Sequence, residues 1–268
     1  MSNFDYIIEK IEECSFSYEP FKCLKIDDFL SEEHFEMILN DKQVHFGKKS
    51  STSNLLEHLE ESGYRNVGFP GCTKNKKKYL EVEKKLSKWN FEKKVYPTDS
   101  LGMAYRLEKH ANSFTESLIS FMNGKEFKET LIRKFNLEEE VLIHTSIQKY
   151  LNGYEISPHP DIRTKALTYL LNINKDLEGK DRYLHTHLLE FKEKFKCVGE
   201  FWKRNLKKNT CWVPWDWCST KEILHKNNSI IIFEPSYNTL HGVKLKYSHL
   251  ESQRTQIYGN LNYKKVSS

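Results

Sequence analysis

The sequence predicts an α+β fold, with a double-stranded β-helix (jelly-roll) core covered by N-terminal helices. Two observations lead to it. Residues 1–140 contain amphipathic segments with helix-capping residues, whereas residues 141–268 contain short runs of period two separated by turn residues. Strands that follow one another without interleaved helices favour an antiparallel barrel or jelly roll. Because 268 residues can bury one large core, we predict a single domain in which residues 1–140 are a mainly helical support region.

The helical segments of the first half carry start and stop signals. In DDFLSEEHFEMILND, Ser31 precedes two glutamates, which is typical of an N-cap followed by acids in the first turn. The segments NLLEHLEESG and SFTESLISFMNG stop at Gly63 and Gly124, residues that commonly end helices. The lysine-rich segment KNKKKYLEVEKKLSKW, residues 74–89, indicates a helix with one solvated face.

Strands are predicted from about residue 141 onward. The runs are VLIHTSIQKYL, KALTYLLNI, RYLHTHLLEF, SIIIFEP, TLHGVKL and RTQIYGNLNY. Residues 192–228 interrupt them, and an insertion of this length between strands is often a lid or a binding loop. Its tryptophans could line a substrate pocket, although a small separate core is the more common role for such a cluster. They are Trp202, Trp212, Trp215 and Trp217.

Composition argues against several classes of protein. The 42 basic and 37 acidic residues leave a net charge of only +5, and the lysines are spread along the chain, so a nucleic-acid partner is unlikely. The six cysteines form no Cys-x-x-Cys pair, which argues against a zinc knuckle or a disulfide scaffold. An acidic N-terminus and the lack of an apolar run of about 20 residues predict a cytoplasmic protein with no membrane partner. The sequence predicts no oligomeric state.

His159 and Asp161 are the first candidate metal ligands. They are one residue apart, so in extended backbone both side chains point to the same side. A lone His-x-Asp is more often a surface turn, but His241 follows the apolar strand SIIIFEP and could bring a second imidazole to this pair. Two imidazoles and one carboxylate are the ligand set of non-haem Fe(II) sites with open positions, whereas structural zinc sites usually have four ligands.

Arg254 begins a strand whose polar residues share one face. Taken alone, such a face is as compatible with solvent as with a cavity, but in a barrel covered by helices it can line the interior. The residues of this face are Arg254, Gln256, Tyr258 and Asn260. An arginine in that position offers a planar fork for a carboxylate.

Other residues compete for these roles. His185 and His187 occupy alternate strand positions but have no carboxylate at a suggestive spacing, so we expect a polar face or a substrate contact. Arg163 and Lys165, next to the candidate metal loop, are expected to face solvent, although either could hold an anionic substrate. A zinc site has loosely spaced candidates: Cys211, Cys218 and His225.

The ordered set Tyr150-x-x-Gly153, His159-x-Asp161, His241 and Arg254 resembles the Fe(II)- and 2-oxoglutarate-dependent oxygenases. The segment FKCLKIDDFLSEEHFEMIL also resembles the N-terminal strand and helix of the prolyl-hydroxylase-like branch of that superfamily. The resemblance covers the last ~120 residues with its metal and anion motifs, and it implies an oxidoreductase that uses Fe(II), 2-oxoglutarate and O2. The implied reaction is hydroxylation of a C–H bond in an amino acid, a peptidyl side chain or another small polar substrate, with release of succinate and CO2.

The resemblance also implies a role for individual residues. The iron ligands, which are the catalytic residues, would be His159, Asp161 and His241. Arg254 would form a salt bridge with the distal carboxylate of 2-oxoglutarate, and Tyr150 would donate a hydrogen bond to the same molecule. Asn172, two strand repeats past Thr168, is a further candidate for the cofactor cavity. The family's common Arg-x-Ser pair is absent, because the sequence reads Arg254-Thr255-Gln256.

Two other classes of function remain open. Nucleic-acid demethylases of the alkylation-repair type share the Tyr-x-x-Gly and His-x-Asp arrangement, but their usual second arginine is missing, since no arginine follows Arg254. A non-catalytic jelly-roll binding module is the other class. The intact set of three metal ligands and one arginine argues against it, because a decayed site would be expected to lose one of the four.

Overall fold

The computed structural model describes residues 3–68, 70–86, 102–175 and 184–264. In these ranges the first half of the chain is mainly helical. The helices are α1 (Asp5–Glu13), α2 (Glu32–Leu39), α3 (Thr52–Glu61), α4 (Lys76–Leu86), α5 (Ser113–Met122), α6 (Lys125–Phe135) and α7 (Lys196–Arg204). The predicted N-cap is confirmed, since the Ser31 hydroxyl accepts a hydrogen bond from the His34 backbone N–H at 3.2 Å.

Strands make up most of the second half. They are β1 (Cys23–Ile26), β2 (Tyr64–Asn66), β3 (Ala104–Leu107), β4 (Val141–Tyr150), β5 (Glu155–His159), β6 (Lys165–Asn172), β7 (Thr186–Phe191), β8 (Cys218–Leu224), β9 (Ile230–Phe233), β10 (Leu240–Lys244) and β11 (Arg254–Tyr263). Parts of two predicted elements lie outside the described residues: positions 87–89 of the lysine-rich segment, and Arg182 and Tyr183 of the run RYLHTHLLEF.

The described strands form two antiparallel sheets, so the α+β prediction is confirmed. The larger sheet has the order β1-β9-β6-β11-β4-β3-β2, and the smaller has the order β5-β10-β7-β8. Strands β1, β2 and β3 come from the region predicted to be mainly helical, and they extend the larger sheet at both edges. Strands β2 and β3 have three and four residues, too few for a period-two pattern to stand out in the sequence.

The predicted insertion, residues 192–228, contains one strand. Residues 218–224 form β8, which pairs with β7 at the edge of the smaller sheet, so the segment between the two strands is residues 192–217. The sequence does not reveal β8, because this edge strand buries only Cys218 and lacks the alternation of a strand with one covered face. The division of the chain into a support region and a core stays a prediction.

The two faces of the larger sheet have different surroundings. One face packs against α1, α5 and α6 in the main hydrophobic core, and the central strands contribute Ile147, Leu167, Tyr169 and Ile257 to it. Along β4 and β11 these residues alternate with side chains that point to the opposite face, toward the smaller sheet. The helices therefore leave the second face of the sheet free to build a cavity. No helix among the described residues has the length and apolarity needed to cross a membrane.

Candidate metal centre

A cavity of about 260 Å³ is lined by side chains from both sheets. The larger sheet contributes the predicted polar face of β11, and the smaller sheet contributes the ends of β5 and β10. Lining residues named in the sequence analysis are Tyr150, His159, Asp161, Lys165, Thr168, Trp212, His241, Arg254, Gln256, Tyr258 and Asn260. The strand alternation that predicted an inward polar face on β11 is confirmed.

Backbone pairing brings the two candidate histidines together. His159 at the end of β5 is the direct cross-strand partner of His241 on β10, and their ring centroids are 4.4 Å apart. Asp161 follows two residues later, and one ligand atom from each of the three side chains lies within 4.8 Å of the others. All three residues are buried. The His-Pro-Asp sequence is thus part of a buried cluster and not a surface turn.

The tautomer of each imidazole is fixed by its backbone. Nδ1 of His159 lies 2.9 Å from the Ser157 carbonyl oxygen, and Nδ1 of His241 lies 3.1 Å from the Thr239 carbonyl oxygen. A carbonyl can only accept a hydrogen bond, so in both rings Nδ1 carries the proton and the Nε2 lone pair is free. Each Nε2 lies 3.9 Å from an oxygen of Asp161. A backbone-fixed Nδ1–H is the usual orientation of a metal-binding histidine.

Burial also keeps both rings neutral. Desolvation and the neighbouring His241 together lower the pKa of His159 to about 3, although Asp161 opposes both. Desolvation lowers the pKa of His241 as well. A neutral imidazole is the form that binds a metal ion, so both rings are ready as ligands near neutral pH.

Two side chains hold the Asp161 carboxylate in place. Lys165 Nζ donates to Oδ1 at 2.7 Å, and the Thr168 hydroxyl donates to Oδ2. Burial alone would raise the pKa of Asp161, but the Lys165 charge and the two histidines lower it well below its usual range. The carboxyl group is therefore ionised. Each oxygen has a second lone pair, so these hydrogen bonds leave room for a metal ion.

The structure changes what was expected of the two cations next to this loop. Lys165 was predicted to face solvent, but it is largely buried between Asp161 and the Tyr258 hydroxyl, which lies 2.9 Å from Nζ. Arg163 anchors the inserted segment, because its guanidinium donates to the Trp202 carbonyl and stacks over that indole at 3.9 Å. Neither side chain is a free cation at the mouth of the cavity.

The rival metal sites are not assembled. Among the described residues, the only group of three or more potential ligands close enough to share an ion is His159, Asp161 and His241. His187 instead hydrogen-bonds the Thr220 hydroxyl through Nδ1 at 3.0 Å and packs edge-on against Trp215. Two neutral imidazoles and one carboxylate fit the facial triad of a non-haem iron site, with no fourth protein ligand from the described residues.

Arg254 is the most deeply buried cation that lines the cavity, with 1% of its surface exposed. Nη2 donates to the Thr186 hydroxyl at 3.0 Å, while Nε has no hydrogen-bond partner. Burial lowers the pKa of Arg254. Among the described residues, the titratable side chains that raise this pKa are tyrosines and not carboxylates. A buried guanidinium whose Nε is unpaired is well suited to receive an anion from outside the chain.

Tyr150 lies directly opposite Arg254 in the pairing of β4 with β11. Its ring centre is 4.9 Å from the guanidinium carbon, and the residue lines the cavity. The Tyr247 hydroxyl links these two strands by hydrogen bonds. It donates to the Tyr150 carbonyl at 2.5 Å and accepts from the Arg254 backbone N–H at 3.0 Å. The position of the arginine is therefore set by its own strand and by its neighbours.

Asn172 does not line the cavity. It shares the sheet face of Thr168, but its amide donates to the Leu224 carbonyl at 2.8 Å and to the Lys226 carbonyl at 3.1 Å. Its Oδ1 accepts from Gln256 Nε2 at 2.7 Å. The structure thus gives Asn172 a structural role, joining β6 to the end of β8 and orienting Gln256. Strand alternation correctly predicted the sheet face on which Asn172 lies. It did not predict that the backbone of residues 224 and 226 covers this side chain.

Gln148 and Arg106 are among the cavity residues that were missed in the sequence, as is Thr186, the hydroxyl partner of Arg254. Gln148 is two residues before Tyr150 and shares its face, so strand alternation could have identified it. Arg106 lies on β3, directly opposite Gln148, and no sequence signal reveals that short strand. Of the inserted tryptophans, only Trp212 lines the cavity, whereas Trp215 and Trp217 pack in a separate small cluster.

Comparisons with known proteins found similar structures. No family model matches the chain, and no curated protein matches it. The chain is similar in structure to a prolyl-4-hydroxylase of Pseudomonas putida, with 8% identity, coverage of 98% of this chain and 100% of that one, and a TM-score of 0.47. It is also similar to a Trichoplax adhaerens prolyl hydroxylase in complex with a hypoxia-inducible-factor peptide fragment, with 10% identity, coverage of 97% and 88%, and a TM-score of 0.44.

A third similar structure is an oxidoreductase of the 2OG-Fe(II) oxygenase family from Burkholderia pseudomallei, with 9% identity, coverage of 81% of this chain and 92% of that one, and a TM-score of 0.33. Similarities this distant do not identify a reaction. The reaction is therefore inferred from the side chains that line the cavity.

Proposed function

We propose that the chain is an Fe(II)- and 2-oxoglutarate-dependent dioxygenase that hydroxylates a C–H bond of a small-molecule or peptidyl substrate. One observation carries the proposal: two Nε2 lone pairs and an ionised carboxylate converge in the same cavity as a buried arginine with an unpaired Nε. The first set suits iron with open positions, and the second suits a carboxylate. The pairing of a seven-stranded with a four-stranded antiparallel sheet around the cavity supports the double-stranded β-helix core.

Different residues would bind the iron and the co-substrate. Fe(II) would be held by His159, Asp161 and His241, and the distal carboxylate of 2-oxoglutarate by Arg254 with the Thr186 hydroxyl. When bound, iron with 2-oxoglutarate and O2 supplies the oxidant for the C–H bond and releases succinate and CO2. Tyr150, beside the guanidinium, would donate a hydrogen bond from its hydroxyl to the same carboxylate, since burial raises the pKa of Tyr150 and keeps the hydroxyl protonated.

The surroundings of the triad prepare it to bind. The Ser157 and Thr239 carbonyls hold both imidazoles in the tautomer that presents Nε2. Lys165 and Thr168 orient the carboxylate and keep it ionised by charge and hydrogen bonding. Because these groups are buried, few waters need to be displaced or rearranged when ligands enter, which strengthens each electrostatic contact.

An anaerobic titration tests this function. Metal-free protein is titrated with Fe(II) and then with 2-oxoglutarate, and the weak visible charge-transfer band of the chelated co-substrate is followed. We expect the band in the natural chain and its complete loss in Asp161→Ala, because the triad then lacks its only carboxylate. Asp216→Ala, an exposed aspartate of the inserted segment, is the matched control and should retain the band.

Two results would contradict the proposal. A band that persists at full strength in Asp161→Ala would mean that iron is held elsewhere. The absence of both a band and bound iron in the natural chain would point to a binding module that lacks catalysis. Where the band forms, release of succinate in the presence of O2 then measures turnover.

A further inference from the structure

We propose that the substrate is a small carboxylic acid with a hydrogen-bonding group on the carbon next to the carboxylate, bound by Arg106 and Gln148. This inference rests on the proposed function and names the substrate class of the same cavity. An amino acid and a hydroxy acid share this chemistry, and the experiment below distinguishes them. The two residues are direct cross-strand partners on β3 and β4, and both line the cavity.

The first observation is a set of buried polar atoms with nothing to bind. Gln148 is 1% exposed, and neither Nε2 nor Oε1 of its amide has a hydrogen-bond partner. Nε of Arg106 is likewise buried without a partner. Leaving such atoms unpaired is costly, so a cluster of three in one cavity indicates a ligand that satisfies them.

The second observation is charge. Among the described residues, no carboxylate forms an ion pair with Arg106, whereas its neighbour across the strand pair, Arg65, is neutralised by Glu108 at 2.7 Å. The carboxylate of the metal centre, Asp161, is already compensated by Lys165. The wall formed by β3 and β4 therefore presents a positive charge to the cavity without an internal partner, which favours an anionic ligand.

Arg106 is distinct from the arginine assigned to the co-substrate. Tyr150 pairs with Arg254 on one side and with Ala104 on the other, so Arg106 lies two strands across and two residues along the sheet from Arg254. Strand spacings of about 4.8 Å and rises of about 3.3 Å per residue separate their Cα atoms by roughly 11–12 Å. The cavity thus holds two guanidinium groups, one for each of two acids.

The shape of the pair specifies the rest of the ligand. A guanidinium offers parallel N–H donors that match a carboxylate. The neighbouring amide offers a further donor through Nε2 and an acceptor through Oε1. A carboxylate next to an ammonium or hydroxyl group would satisfy both residues at once, because the carboxylate accepts from Arg106 and Nε2 while the adjacent group donates to Oε1.

Calorimetry on protein saturated with Fe(II) and 2-oxoglutarate, without oxygen, tests this inference. The probes are the twenty common L-amino acids, their amides, the matching 2-hydroxy acids, and plain acids that lack the second group. We expect at least one amino or hydroxy acid to bind at least tenfold more tightly than its amide, and Arg106→Met to raise its Kd at least tenfold. Arg106→Lys should restore part of this affinity.

The controls separate the two residues from the rest of the site. Arg65→Met, which removes the cross-strand neighbour of Arg106, should leave the affinity of the acid unchanged. Gln148→Leu should weaken the amino or hydroxy acid more than the plain acid, because the plain acid loses only the Nε2 donor whereas the other two also lose the Oε1 acceptor. Half-saturation by 2-oxoglutarate should stay within twofold in every variant, and the preference between the amino and the hydroxy series identifies the donor group.

Several outcomes would overturn the inference: no acid binds, amides bind as well as acids, or Arg106→Met leaves the affinity of the acid within twofold. A loss of 2-oxoglutarate affinity in Arg106→Met would assign this arginine to the co-substrate and would also overturn it. If the charge-transfer band forms in all these cases, only the substrate class is wrong. If the natural chain never forms the band, the proposed function itself fails.

Discussion

Two buried cations lie next to each other in the larger sheet and point in opposite directions. Arg254 pairs with Tyr150 and faces the cavity, whereas Lys149 pairs with Thr255 and faces the helices. Both are at most 1% exposed. They differ in their partners, because the Arg254 Nε is unpaired and Lys149 Nζ donates to the Val44 carbonyl at 2.5 Å and to the Thr255 hydroxyl at 2.9 Å.

This difference separates a functional charge from a structural one. Two aromatic rings also surround the Lys149 ammonium, Phe46 at 5.0 Å and Tyr64 at 5.8 Å. Lys149 therefore has its partners inside the chain, but desolvation still lowers its pKa to about 7. Burial alone does not identify a binding residue. A buried polar group that keeps an unpaired atom toward a cavity does, and Arg254, Gln148 and Arg106 share that property.

The largest expected effect follows from removing the cavity-facing charge. Arg254→Met should raise the concentration of 2-oxoglutarate that half-saturates the Fe(II) protein by at least a hundredfold, because a buried charge-assisted pair is lost. The thermal midpoint of the ligand-free protein should not fall, since the guanidinium makes one side-chain hydrogen bond and its burial is costly. Titration of the visible band and thermal unfolding measure the two quantities.

Arg254→Lys provides the control for geometry. It keeps the charge but loses the fork, so its half-saturation should fall between those of the natural chain and Arg254→Met. A large loss of thermal stability in Arg254→Met, with unchanged co-substrate binding, would make Arg254 a structural residue like Lys149.

The opposite result is expected on the helical side of the sheet. Lys149→Met should leave co-substrate binding unchanged and raise the free energy of unfolding near pH 6 by about 1–4 kcal/mol, because a buried charge is replaced by an apolar chain of similar length. Chemical denaturation of both proteins at equal salt measures the difference. A destabilised variant would show that the hydrogen bonds of Lys149 outweigh the cost of burying it.

The natural chain adds a pH signature to this prediction. The pKa of Lys149 is about 7 in the folded protein and near 10.5 when unfolded, so between these values the unfolded chain binds more protons. Stability contributed by this residue must then rise with pH, by up to about 1.4 kcal/mol per pH unit. The advantage of Lys149→Met should accordingly be largest at or below pH 7 and should shrink toward pH 10.

The candidate metal centre shows how much of a site can be predicted from sequence patterns. The one-residue spacing of His159 and Asp161 predicted that both side chains lie on one side of the chain, and this local rule needs no tertiary knowledge. Their meeting with His241 depends on the pairing of β5 with β10, and β5 was not among the predicted strands. Residue types at short spacing and the expectation of a second nearby strand were sufficient to name the candidate triad.

Features that depend on long-range contacts were not predictable in the same way. Lys165 was expected in solvent, and its burial follows from contacts with Asp161 and with Tyr258, which is 93 residues away. Arg106 lies on β3, a strand of four residues that is recognised only from its pairing with β4. For Asn172, the covering backbone comes from residues 224 and 226, more than 50 residues later.

The smallest expected effect compares two threonines on opposite faces of the sheet. Thr168 donates to Asp161 on the cavity side, and Thr255 accepts from Lys149 on the helical side. Thr168→Val removes the hydroxyl without changing the shape, so the Kd for Fe(II) should rise roughly tenfold while stability changes little, because a metal ligand loses a group that orients it. Thr168→Ser should restore the affinity, as anaerobic titration can measure.

Thr255→Val should do the reverse, costing stability by about 1–3 kcal/mol and leaving iron affinity unchanged, because one donor of the buried Lys149 ammonium then has no acceptor. Equal iron affinities in Thr168→Val and the natural chain would show that Lys165 alone is sufficient to orient Asp161. Equal losses of stability in Thr168→Val and Thr255→Val would contradict the distinction between the two faces of the sheet. The Thr168 hydroxyl on the cavity side would then stabilise the fold as much as the Thr255 hydroxyl on the helical side.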